Sequence, residues 1–211
     1  VLAPLAGWYP TADEETSTFA LEVDVPEGWE VIAEGAPAGS VTDQPGAPTV
    51  RYEVPHPVPG LHLVAGPFTR SARKHRGGEV VLYHQPKTPG VVVRRTLLAM
   101  RQLLDEMVGE AGPWSWPRLA LVEHPEVDRI DAPSFSVLGP EAWSRAVEDR
   151  DALRVVVARA WWPGTVYPAG DGQATGDGGD RWAEGLAEFV ARHRLQLTGD
   201  SEERRTMRRT R

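Results

Sequence analysis

Cysteine is absent from this 211-residue chain. That excludes a disulfide framework, a thiolate zinc site, an iron–sulfur cluster and a thiol nucleophile. Long hydrophobic runs are also missing, so no segment approaches the roughly 20 apolar residues that a membrane-spanning helix needs. Basic residues are in the minority: 23 Lys and Arg stand against 30 Asp and Glu, a formal net charge of −7. An acidic balance argues against nucleic acid as the main partner. Several catalytic signatures are lacking as well. The six histidines (His56, His62, His75, His84, His124, His193) include no pair four residues apart, the spacing that sets two metal ligands on one helical face. The Gly-rich stretch 170–179 has no Gly-Lys-Ser/Thr to hold a phosphate, and only a weak likeness to a calcium loop. No G-x-S-x-G elbow supports a serine hydrolase.

What is abundant is turn-forming residues and tryptophan: 21 Gly, 19 Pro and 8 Trp. The first third reads as β structure. Residues 18–25 alternate apolar and polar, as a half-buried strand does, and 30–35, 50–54 and 61–68 read as further short strands. The Gly/Pro-rich stretch 36–49 reads as a hairpin loop. The basic cluster 70–76 reads as an exposed linker, which sets the expected domain boundary at 76/77. Beyond it α and β elements mix. Strands are expected at 79–83, 118–123 and 134–138. The clearest helix covers 90–109, where Val93, Leu97, Leu98, Leu103, Leu104 and Val108 are read as the apolar face at helical spacing. Residues 141–147 suit a short helix, 151–162 a buried one capped by Asp151, and 182–195 a final one. The fold class expected is α+β. His124, between Glu123 and Glu126, is read as a surface-loop residue rather than a metal ligand. Trp114 and Trp116 are expected to pack, with part of their surface exposed.

Two segments carry more information than the rest. Residues 155–168 include Trp161, Trp162, Val166 and Pro168; residues 182–189 include Trp182, Glu184, Gly185, Ala187 and Phe189. Together they resemble the zinc aminopeptidases of the aminopeptidase N and leukotriene-hydrolase type, the gluzincins. In that family one helix reads H-E-x-x-H-Q-W-W-G followed by V-x-P, and a second reads W-L-x-E-G-x-A-x-Y. Earlier segments resemble the family in the same order: Gly7 to Pro10, Val25 to Trp29, Val31 to Gly35, Leu63 to Phe68 and Gly112 to Val122. The resemblance implies that 1–76 is the C-terminal part of an antiparallel N-terminal β domain (a β-saddle or sandwich). It implies that 77–211 is a truncated thermolysin-like domain. The first residue is Val1 and no signal peptide is apparent, so the chain is expected to be a piece of a larger protein. The family's transition-state tyrosine and helical domain would then fall beyond Arg211.

The departures bear on function. In the family's register the first zinc-binding His is Val155, the general-base Glu is Val156 and the second His is Arg159; Glu184 falls on the third ligand. Valine offers no lone pair, and arginine is a fixed cation with no acceptor. Zinc is what the family implies as cofactor, but its ligands are lost, so none is expected here. Between Arg159 and Glu184 lie 24 residues, more than the family's pattern holds, and the Asp/Gly loop supplies the excess. Asp131 stands where the family keeps the glutamate that grips the substrate amine. A salt bridge from Arg159 to Glu184 is expected in place of the metal. The expectation is a non-catalytic metallopeptidase-like domain for peptide or protein recognition, or for structural support, in a larger protein that parts outside this chain would place outside the cytoplasm or at a membrane. Two alternatives stay open: a working zinc aminopeptidase with a rearranged site, and a β interaction module with a degenerate α/β appendage.

Overall fold

A computed structural model describes residues 1–9, 16–41, 49–76, 78–162 and 185–192. The Asp/Gly loop, Glu184 and the basic C-terminus lie outside the described residues. After one 3-10 turn at Pro4–Ala6 come β1 (Ser17–Asp24), β2 (Glu30–Ala33), β3 (Ala36–Val41), β4 (Thr49–Val58), β5 (Leu63–Gly66), β6 (Thr69–His75) and β7 (Gly78–His84). Then follow α1 (Gly90–Ala111), β8 (Arg118–Glu123), β9 (Arg129–Ala132), β10 (Phe135–Leu138), α2 (Pro140–Glu148) and α3 (Arg150–Arg159). Residues 185–192 are helical. The class is mixed α and β, as expected.

Three sheets form. β1-β4-β3 and β2-β5 are antiparallel, and β6-β7-β8-β10-β9 is mixed, with β7, β8 and β10 parallel and an antiparallel strand on each edge. The period-2 alternation of strands sets the layering. On β7, Val80 and Leu82 face the helices, and Val81 and Tyr83 face the opposite side. On β2, Ile32 packs toward the large sheet, while Val31 and Ala33 pack toward the outer sheet with Val25 and Tyr52. The order is therefore a helical layer, the five-stranded sheet, the β2-β5 ribbon and the β1-β4-β3 sheet. α1 makes the parallel crossover from β7 to β8, and its buried stripe (Val93, Leu97, Met100, Leu104, Met107) lies in the helical-layer core with α3.

Arg118, at the start of β8, ties these layers together. It is 1% exposed, and it donates to Tyr52 Oη (3.1 Å), Tyr83 Oη (3.2 Å) and the Ala33 carbonyl. No carboxylate pairs with it among the described residues. Its charge is met instead by dipoles and by the rings of Tyr52 and Tyr83, whose centroids lie 5.4 and 6.0 Å away. Burial, opposed by the Arg118 charge, pushes the Tyr52 phenol above its ordinary pKa. Gly35 helps the close approach of the β2 and β4 segments. Its φ is +79°, and a Cβ there would sit 2.4 Å from the Glu53 carbonyl.

Four expectations need correction. Residues 70–76 are no linker: they belong mostly to β6, which pairs with β7 along its whole length, so a hairpin spans the expected boundary at 76/77. The stretch read as a loop from 36 holds β3 in its first six residues. Asp149, not Asp151, caps α3, accepting the Asp151 N–H at 2.8 Å. Trp116 is buried at 4% exposure, edge-on to His56, and only Trp114 keeps partial exposure.

Candidate functional site

The site is built where β9 and β10 meet α3. In the β9–β10 pair, Asp131 lies directly opposite Ser136, and Arg129 opposite Leu138. Leu138 belongs to the helical-layer core, so alternation puts Ser136, Asp131 and Arg129 on the helix side of the sheet. α3 delivers Arg159 from its last turn to this edge.

Asp131 is saturated with donors. Arg129 grips it with a two-pronged contact, Nε to Oδ2 at 2.8 Å and Nη2 to Oδ1 at 3.1 Å. Ser136 Oγ donates to Oδ1 at 2.8 Å, and Arg159 Nη1 donates to Oδ2 at 3.1 Å. The side chains of Arg159 and Asp131 are 12% and 15% exposed, so solvent screens them little. The network runs on: Arg159 Nη2 lies 3.9 Å from Glu188 Oε1, and Arg192 Nη2 lies 3.2 Å from Glu188 Oε2. Charges thus alternate along Arg129, Asp131, Arg159, Glu188 and Arg192. Chemically this is an ion-pair chain of three guanidiniums and two carboxylates. Both oxygens of Asp131 are taken by protein donors, which removes it as a free acceptor for a substrate amine.

Val155 and Val156 sit one turn earlier on α3. Val156 is 7% exposed and lies in the helical-layer core, with Val155 packed against it. The residues at the expected metal position do not fit zinc: two aliphatic side chains and a guanidinium supply no donor atom. Among the described residues no group of three or more His, Cys, Asp or Glu is placed to hold a metal. The expected partner of Arg159, Glu184, lies outside the described residues; within them Arg159 meets Asp131 and, one helical turn beyond Glu184 in sequence, Glu188.

Arg129, Ser136 and Glu188 were missing from the sequence-level site. Glu188 carried a signal, because it lies four residues from Glu184 within the helix expected over 182–195. Ser136 and Arg129 carried none, since their roles depend on the β9–β10 register.

Two further histidines among the described residues have structural partners. His62 Nδ1 lies 2.6 Å from Glu34 Oε1, and that fully buried carboxylate also accepts the His62 backbone N–H. His124 Nδ1 accepts the N–H groups of Glu126 and Val127, capping a turn, and burial holds its pKa below the usual histidine value. No helix among the described residues is long and apolar enough to cross a membrane. No protein-family model matches the chain, and no curated protein matches it.

Proposed function

We propose that this chain is a non-catalytic, metallopeptidase-like domain, a thermolysin-like unit behind an N-terminal β domain. An arginine–carboxylate network stands where a peptidase of the aminopeptidase type would hold its metal. One observation carries the reading: Arg159 is anchored to Asp131 at 3.1 Å, while the two α3 positions that would supply a ligand and a base are Val155 and Val156. Activating water for peptide hydrolysis needs a Lewis acid or a general base in reach. A guanidinium that stays protonated and two aliphatic side chains provide neither. The sequence of elements supports the same reading. The antiparallel sheets β1-β4-β3 and β2-β5 come first, and the mixed sheet with its helices follows, which is compatible with a β domain ahead of an α/β one.

The role that follows is recognition of a peptide or protein, or structural support within a larger protein. The test has two arms. Purified protein is expected to hold no stoichiometric zinc and to leave aminoacyl-anilides intact; zinc together with turnover refutes the reading in favour of a working, rearranged site. The triple substitution V155H/V156E/R159H is expected to gain stoichiometric zinc. A folded triple variant that takes up none counts against the register on which the proposal stands.

A further inference from the structure

Charge is unevenly distributed along this chain. Residues 69–102 hold eight Lys and Arg and a single acidic residue, Glu79, a surplus of seven positive charges. The whole chain has a formal net charge of −7, so everything else carries a surplus of fourteen negative ones.

The fold gathers much of this basic segment on one side. β6 is an edge strand of the five-stranded sheet, and α1 runs beside it: Asp105 of α1 meets His75 Nε2 at 3.8 Å and Arg76 Nε at 2.9 Å. On an α-helix each residue advances about 100°. Counting back from Asp105, Arg101 and Arg94 fall on the β6 side. Leu98 and Val91 fall on the crest. Arg95 falls on the α2 side, where it donates to the Val147 carbonyl at 2.7 Å. Arg73 shares the α1-facing side of β6 with His75, two residues away. Val91 is 64% exposed and Leu98 43%. Arg73, Arg94, Arg95 and Arg101 have no carboxylate partner among the described residues.

A solvated helix face ordinarily mixes charge signs. This one presents two aliphatic side chains ringed by four guanidiniums that have no carboxylate partner among the described residues; Asp105, the acid beside them, is paired with Arg76. We propose that the α1–β6 face rests on an anionic phospholipid surface. Val91 and Leu98 enter the headgroup layer, and the four arginines engage lipid phosphates and carboxylates from their flanks. Charge complementarity points to an anionic occupant. The aliphatic crest selects a bilayer over a nucleic acid, whose phosphate backbone would leave Val91 and Leu98 without favourable contact. The acidic remainder of the chain is repelled by the same surface, which fixes the orientation of docking.

The test is co-sedimentation of the full chain with vesicles of phosphatidylcholine alone or mixed with phosphatidylserine, at low and high salt. Binding is expected to the mixed vesicles, to be lost at high salt, and to be absent with phosphatidylcholine alone. Each near-surface cation contributes roughly a factor of five, so R94Q/R101Q is expected to weaken partitioning about thirtyfold. V91S/L98S is expected to weaken it as well. R51Q, a charge removed in the outer β sheet, is expected to bind as the unaltered chain does. Thermal unfolding of each variant separates lost docking from lost fold. The proposal is overturned by equal binding to both vesicle types, by no binding to the mixed vesicles, or by an equal effect of R51Q. A folded V91S/L98S that binds unchanged, or tighter retention of a DNA duplex than of the mixed vesicles at the same salt, also overturns it.

Discussion

Replacing Asp131 by asparagine tests the network at its centre. The side chain keeps its shape and loses its charge, so any change reports on electrostatics and hydrogen bonding rather than packing. In the native site three residues donate four hydrogen bonds to this carboxylate, at 2.8 to 3.1 Å. Hydrogen bonds to charged groups contribute roughly 1.5–3 kcal/mol net each, but they do not add in full here. Arg129, 27% exposed, recovers hydration when its partner is neutralised, whereas Arg159, at 12%, recovers little. The amide also turns an N–H₂ group toward a guanidinium. A loss of about 2–4 kcal/mol follows, most of it from weakening the shielded contact between Arg159 and Asp131. For a chain of this size each kcal/mol moves Tm by roughly 2–4 °C, so D131N is expected to melt about 5–15 °C lower by circular dichroism. Combining it with R159M tests the pairing directly. The double variant is expected to show a coupling of about 1–3 kcal/mol, because R159M removes the guanidinium whose contact with the carboxylate the first substitution weakened. The deficit of D131N is expected to persist at high salt, since the pair is shielded from solvent. A D131N variant within about 0.5 kcal/mol of the parent, or strict additivity with R159M, refutes the reasoning.

Other expectations follow from the same structure. R118A strips the buried clamp from Ala33, Tyr52 and Tyr83 and is expected to cost about 3–5 kcal/mol in urea unfolding, whereas R118M, which fills the space without a charge, is expected to cost clearly less. Burial, partly offset by Asp105 and reinforced by Arg76 and Arg101, holds the His75 pKa below its ordinary value. Its contribution to stability is therefore present above the ordinary histidine pKa and lost as pH falls through the lowered folded value, and H75Q is expected to flatten the decline of Tm on acidification. At Gly139 a Cβ would lie 2.0 Å from the Val127 carbonyl oxygen and 2.9 Å from that of Asp128. Both are backbone atoms, so G139A is expected to lose about 1–3 kcal/mol in thermal or urea unfolding.

Elements whose identity rests on local pattern were legible in the sequence. α1 announced itself because its buried residues recur at helical spacing, and β1 because its residues alternate in exposure. β6 was read as a linker because Arg70, Arg73 and Lys74 fill it. Only its place at a sheet edge, where one side of the strand meets water, makes such residues tolerable. β9 is only four residues long, too short for its alternation of polar and apolar residues to mark a strand by itself, and it exists as a strand because β10 pairs with it. That Val155, Val156 and Arg159 offer no metal-binding atom could be read directly, since side-chain chemistry does not depend on the fold. Where Arg159 spends its charge could not. Asp131 precedes it by 28 positions, and the two meet only because β9 closes the sheet edge beneath α3. Arg118 follows the same logic. One sequence cannot tell a solvated arginine from a buried one, because the difference lies in partners from β2, β4 and β7 that only tertiary packing brings within reach.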